Sequence, residues 1–215
     1  MHAARHVRNL LAQTDRYLAA LEPSLAPIAT VRSGLARFGG GDVQVVAANP
    51  DPACGRLDAA IAAIDNADAL KRAIEDLRPH LRWTTYDSYP PDLIGERFPK
   101  AHAFATIMGT GGFILADDFE LGLFLIAPRI FYRDHRHKAP ELYAPLTGPH
   151  DWRFGIGDEW QTRPAHGPVW NEPGAVHATR TGATPFFCLY AWTADVNLPA
   201  TLVPAPDWDE IEACL

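Results

Sequence analysis

The stretch His135-Arg136-His137-Lys138-Ala139-Pro140-Glu141-Leu142-Tyr143 gathers two imidazoles, a carboxylate and a phenol. Gly148 closes it, and Pro173-Gly174-Ala175-Val176-His177 follows further along the chain. In an extended segment alternate side chains share a face, so His135, His137, Glu141 and Tyr143, all at odd positions, are expected to point the same way. Burying such groups together costs several kcal/mol, on the order of 2–7 per unpaired polar group, unless something pairs with them. A divalent metal is the simplest partner. A lone His-x-His reads as a solvated strand; the added Glu141, Gly148 and second segment carrying His177 turn the reading toward metal. Three imidazoles and one carboxylate would hold zinc, iron, manganese, nickel or cobalt with positions left for water or substrate, and ligand type does not choose among these ions.

These groups need elements to position them. The chain has 215 residues, 47% of them hydrophobic, enough for one domain of ordinary size or a domain with a helical extension. Its formal charge of -7 and the lack of a Lys/Arg stripe argue against nucleic acid as a partner. Three cysteines without CxxC spacing give no disulfide framework and no thiolate zinc site, so a cytoplasmic setting is expected. No secretory signal and no bilayer-spanning apolar run is read, so no membrane partner is expected.

Apolar spacing predicts a helix over residues 4–22 stopped by Pro23, a second over 26–38 ended by Gly39-Gly40-Gly41, and the clearest helix over 57–77 before Arg78-Pro79. A short strand is expected at 43–48. After Pro79 the pattern changes to short aromatic and β-branched runs between Gly, Pro and Asp. Strands are predicted at 83–86, 102–108, 112–116, 122–127, 130–137, 141–147, 152–155, 169–171, 177–180 and 186–192, the pattern of a β-sandwich or barrel. The expected division is a helical N-terminal region, 1–79, and a metal-binding β-barrel, 80–215.

His135-x-His137-x3-Glu141-x6-Gly148 resembles the first motif of the cupin superfamily, and Pro173-Gly174-x2-His177 resembles its second. The sequence departs from the pattern at Arg129, where the first motif opens with Gly, at the adjacent Pro173 and Gly174, and at Thr181 in place of Asn. Within the cupins the chain is similar to the dimethylsulfoniopropionate lyases. Tyr143 lies two after Glu141, Tyr132 five before His137 and Trp192 fifteen after His177, and the run His177-Ala178-Thr179-Arg180-Thr181-Gly182 leads to Leu189-Tyr190-Ala191-Trp192-Thr193. This resemblance covers residues 83–196 and implies a mainly β fold with a helical N-terminal region, a cupin double-stranded β-helix or jelly-roll barrel. It also implies a carbon–sulfur lyase that splits a zwitterionic small molecule, dimethylsulfoniopropionate, by β-elimination into dimethyl sulfide and acrylate. A metal that binds the substrate carboxylate and a homodimer come with the same resemblance.

Elimination needs a base at the carbon alpha to the carboxylate. Tyr143 suits this, because a nearby dication lowers a phenol from its usual pKa near ~10. The residues alone leave wall packing equally open for Tyr143; the resemblance assigns it to catalysis. A sulfonium is met gently by aromatic faces, each contributing on the order of 0.5–2 kcal/mol. Trp192, Tyr190 and Phe186 share a parity, which core packing explains equally well; the resemblance puts Trp192 in the pocket, and Tyr190 is expected behind it. A regular strand would aim Tyr132 away from His135, so its place beside the metal requires a bend or bulge. Tyr86, Tyr89 and Trp83 are expected to reach the barrel mouth. His150 and His166 are expected to be exposed in loops, and His2, His6, His80 and His102 to be structural or solvent-facing. Arg180 either faces a carboxylate or forms a salt bridge. Two other readings stand beside the lyase: a related cupin metalloenzyme acting on another small carboxylate, as lyase or non-haem iron oxygenase, and a non-catalytic small-molecule-binding cupin. Residues 1–79 show no basic recognition helix of the kind such sensors carry.

Overall fold

The computed structural model describes residues 2–21 and 25–215. Helix α1 (His2–Leu21) buries Val7, Leu10, Leu11, Thr14 and Leu18 along one face, the stripe its spacing predicts. The expected end at residue 22 and the stop at Pro23 lie outside the described residues. Helix α2 (Ala26–Phe38) ends at Gly39, whose N–H bonds the Leu35 carbonyl. The helix expected over 57–77 is two: α3 (Leu57–Ala62) and α4 (Asp68–Leu77). Asn66 between them has a φ of 47°, a left-handed conformation that Asn tolerates better than most residues. Lys71 Nζ then reaches the carbonyls of Ala62 and Ile64, both at 3.2 Å, and satisfies acceptors that the shortened α3 leaves open. A 3-10 turn (Arg78–His80) and two short helices, α5 (Pro91–Ile94) and α6 (Phe98–Ala101), lead into the strands.

The strands are β1 (His102–Met108), β2 (Glu120–Ile126), β3 (Phe131–Arg136), β4 (Glu141–Pro145), β5 (His150–Arg153), β6 (Gln161–Arg163), β7 (Val169–Asn171), β8 (His177–Thr181), β9 (Phe186–Trp192) and β10 (Thr201–Leu202). They form two antiparallel sheets, ordered β1-β2-β9-β4-β7 and β10-β3-β8-β5-β6. Helix α7 (Trp208–Ala213) follows. Three expected strands shrink to isolated bridges, at Val43, Thr84 and Ile114. The very short β6 and β10 carry too few alternations to be read from sequence.

Parity explains why the first sheet is buried on both faces. Leu121, Leu123 and Leu125 of β2, Phe187, Leu189 and Ala191 of β9, and Leu142 and Ala144 of β4 pack against the helices. Their alternates Phe124, Ile126, Phe186, Cys188, Tyr190 and Tyr143 turn inward to meet Tyr132 and Trp152 of the other sheet. The helices thus cover one wall of the barrel, and α7 covers part of the other through Trp208 and Ile211 against Phe131 and Ala178.

Candidate metal centre and substrate cavity

His135 lies near the end of β3, His137 in the turn that follows, and Glu141 and Tyr143 on β4 of the opposite sheet. Their convergence therefore does not come from one extended segment, as the odd numbering suggested; the chain crosses between sheets at 137–140 and each sheet contributes its inward face. His177 opens β8 as the cross-strand partner of His135. Gly174, in the left-handed region at φ 74°, donates its N–H to the His137 carbonyl at 2.8 Å and ties the second motif to the first.

The donor atoms of His135, His137 and His177 lie within 4.8 Å of one another, and all three residues are buried. Each ring is held by its Nδ1: His135 to the Arg133 carbonyl at 2.8 Å, His137 to Ala139 at 2.7 Å, His177 to Ala175 at 3.0 Å. A carbonyl only accepts, so each Nδ1 carries a proton, and in the neutral form that ligates a metal the bare Nε2 is the atom turned toward the cluster. The Nε2 atoms of His135 and His177 are buried without a partner. That of His137 stands 3.1 Å from Glu141 Oε2, and His177 Nε2 stands 3.5 Å from the same oxygen. Lone pairs aimed at one another and at a carboxylate are costly in a dry interior unless a cation lies among them. Burial, reinforced by its histidine neighbours, pushes His135 well below the usual imidazole range. Burial also pulls His137 down, but the Glu141 carboxylate outweighs it and the net shift is upward. For Glu141 burial pushes up, yet His137 and His177 hold the carboxyl well below its usual range. Imidazole nitrogens and an ionised carboxylate are the donor set a first-row divalent metal takes, so these residues fit one.

Two residues fix Glu141. Trp192 Nε1 donates to Oε1 at 2.7 Å and Asn171 Nδ2 donates to Oε2 at 2.9 Å. Asn171, on β7 directly across from Glu141, is absent from the sequence reading because only strand register brings it there.

A cavity of about 240 Å³ opens on this cluster, with His135, His137, Glu141, Tyr143 and Trp192 on its wall. His177, fully buried, stands behind them. Tyr132 stacks on His135 with ring centroids 3.9 Å apart, and its hydroxyl is 2.6 Å from that of Tyr89. The register of β3 against β8 shifts between Tyr132 and His135, the irregularity that turns both toward the cavity. Tyr143 is buried, and burial together with the Glu141 charge pushes its phenol well above 10. Trp192 lies 4.6 Å from the His137 ring. Tyr190 lines the cavity, with its hydroxyl bonded to Glu120 and 3.3 Å from Thr106. Tyr86 and Tyr89 line the cavity too, whereas Trp83 packs into the core between helices and first sheet. His150 is not an exposed loop residue: it sits on β5, 1% exposed, against Phe186. Arg180 forms a salt bridge with Asp151 at 2.8 Å.

The family model described as dimethylsulfoniopropionate lyase matches residues 40–188. The chain belongs to the dimethylsulfoniopropionate lyase family. It is 28% identical over 153 residues, 66% of this chain and 60% of the relative, to DddL of Cereibacter sphaeroides, named as a candidate dimethylsulfoniopropionate lyase. It is 27% identical over 123 residues, 54% of this chain and 57% of the relative, to the dimethylsulfoniopropionate lyase DddQ of Ruegeria pomeroyi. These matches span less than two thirds of either relative. The crystal structure of that DddQ is similar with a TM-score of 0.74 at 23% identity, covering 93% of this chain and 96% of that one. A solved structure from work on the lyases RdDddP and RnDddQII has a TM-score of 0.70 at 17% identity, covering 94% of this chain and all of that one. At such identities the likeness concerns the fold, a mainly β cupin barrel with an N-terminal helical region.

Proposed function

We propose that this family member is a metal-dependent carbon–sulfur lyase that cleaves dimethylsulfoniopropionate to dimethyl sulfide and acrylate. The observation that carries the reading is the cluster of three imidazoles beside the Glu141 carboxylate, with His135, His137, Glu141 and the buried Tyr143 phenol on the wall of one cavity and His177 behind it.

His135, His137, Glu141 and His177 would hold the ion. When bound, a divalent cation supplies a Lewis acid for the substrate carboxylate and opposes the upward push on the Tyr143 phenol. Tyr143 is the general base: its phenolate takes the proton alpha to the carboxylate, the C–H pair becomes the carbon–carbon double bond, and the C–S pair leaves on sulfur. Acrylate and neutral dimethyl sulfide result, with the proton left on Tyr143 Oη and passed on to water. A phenol whose basicity burial has raised is a strong base once ionised. Tyr132, stacked on His135, is the second catalytic tyrosine of this reading, its hydroxyl shared with Tyr89. Trp192, Tyr190 and Tyr89 offer aromatic faces to the departing sulfonium. In this reading residues 1–79 brace the barrel of residues 80–215.

All three cysteines are free, which fits the reducing cytoplasm where we place the protein. Among the described residues no helix is long and apolar enough to cross a membrane.

The test is headspace gas chromatography on purified protein stripped by a chelator and reloaded with zinc, iron, manganese, nickel or cobalt. Dimethyl sulfide with equimolar acrylate is expected from a reloaded sample and not from the stripped one. No product with any of the five ions would end the reading.

A further inference from the structure

Glu120 is a half-buried acid that the mechanism above leaves unused. Its carboxylate lines the cavity, and its only hydrogen bonds among the described residues come from neutral hydroxyls, Tyr190 Oη and, at 3.5 Å, Thr106 Oγ1. Both fall on Oε1, which leaves Oε2 without a protein donor. No Lys, Arg or His among the described residues forms a salt bridge with it. Cross-strand register fixes where this charge sits. Glu120 and Glu141 are the partners of Trp192 on its two sides, so they stand two strand spacings apart, about 10 Å between backbones, with the indole between them. One carboxylate belongs to the histidine cluster; the other faces the aromatic end formed by Phe104, Tyr190 and Trp192.

The arrangement is built rather than incidental. Gly122 lies beneath the Tyr190 ring, and a Cβ there would come within 2.6 Å of Tyr190 Cε1 and 2.5 Å of the Ala105 carbonyl. The missing side chain lets the tyrosine lie across β2 and reach Glu120. A carboxylate without a protein cation, in an aromatic-walled cavity, is poorly solvated and favours an occupant that brings positive charge.

We propose that Glu120 is the cation-recognition residue of the cavity: it receives the onium end of a short zwitterionic acid whose carboxylate lies toward His135, His137 and Glu141, and so selects against acids of the same shape whose tail carries no charge. This rests on the proposed lyase reading for the direction in which the substrate lies. The sulfonium loses its charge when dimethyl sulfide departs, so Glu120 holds substrate and releases product.

The test is calorimetric titration of zinc-loaded protein with two acids of one shape, 3-(trimethylammonio)propionate and 4,4-dimethylpentanoate, which keeps the carboxylate and has a neutral tail. The wild-type chain is expected to bind the ammonium acid at least about tenfold more tightly, the scale of a desolvated charge pair. Glu120→Gln keeps an oxygen for Tyr190 and Thr106; it is expected to cut that preference to the smaller part the aromatic faces supply, while the neutral-tailed acid binds as before, which also reports that the variant is folded. A wild-type chain with no preference for the ammonium acid, a variant that keeps the full preference, or a variant that weakens both acids equally would overturn the assignment. None of these depends on turnover, so failure of the lyase assay and failure of this proposal are separately visible.

Discussion

Asn171 donates to the same Glu141 oxygen that faces His137 and His177, and with Trp192 it sets the carboxylate's orientation. Outer partners of this kind typically govern metal affinity by roughly 10–100-fold. Asn171→Ala is expected to weaken zinc binding by that order, read by competition with a chromogenic chelator; an unchanged affinity would mean that Trp192 suffices. The gathering of the imidazoles with Glu141 was legible in the sequence because residue type and spacing mark them, whereas Tyr143 was assigned by the resemblance to the lyases. Asn171 and Glu120 were not legible, because cross-strand register alone brings the first to Glu141 and the second to the cavity wall, and register leaves no local signal. Arg129 shows the converse. The motif's opening Gly position has a φ of 57° here, and an exposed arginine occupies it, held by its N–H to the Gly182 carbonyl and by Arg97 on its own carbonyl at 2.6 Å. The departure from the pattern is absorbed locally, in a turn outside the histidine cluster.

At the scale of elements, His102 joins α6 to β1 and to the segment that carries Tyr86. Its Nδ1 faces the Phe98 carbonyl at 2.8 Å and its Nε2 accepts the Tyr86 N–H at 2.9 Å. Protonation would set a second N–H against that donor, and burial lowers the imidazole to about 4. An unfolded histidine titrates near ~6.5, so between these values the unfolded chain binds more protons than the folded one, and stability falls as pH drops through this window. The full loss is on the order of 3 kcal/mol. Urea unfolding of His102→Gln across that range should show a shallower fall than wild type; equal slopes would contradict the assignment. Helical and strand periodicity gave most elements, with α2, β1, β7 and β9 at their expected bounds. The split between α3 and α4 escaped because apolar spacing persists through the break, while the cause, Asn66 and the reach of Lys71, is not periodic. The strands expected at 83–86 and 112–116 failed because their residues pair at single points only.

Across the whole molecule, a buried charge cluster joins the C-terminal helix to the strand that carries His135. Arg153, 1% exposed, pairs with Asp134, 0% exposed, and with Asp207 just before α7, and Trp208 Nε1 donates to Asp134 at 2.7 Å. Arg153→Met would leave Asp134 charged and unmatched in the interior, a change that typically costs about 3–5 kcal/mol. Chemical denaturation should show that loss; one below about 1 kcal/mol would place the cluster among replaceable contacts. The mainly β class was legible as a whole, since short strands between turn residues mark it. Which wall the helices cover was not, because the doubly buried first sheet follows from packing of Leu121, Leu123 and Leu189 against α1, α2 and α4. The central claim is that a buried phenol beside a histidine-held ion removes the proton that starts elimination. The most direct measurement is dimethyl sulfide release by metal-loaded Tyr143→Phe, with metal content determined on the same sample. The account predicts full metal and no product; a variant that forms dimethyl sulfide at the wild-type rate would contradict it.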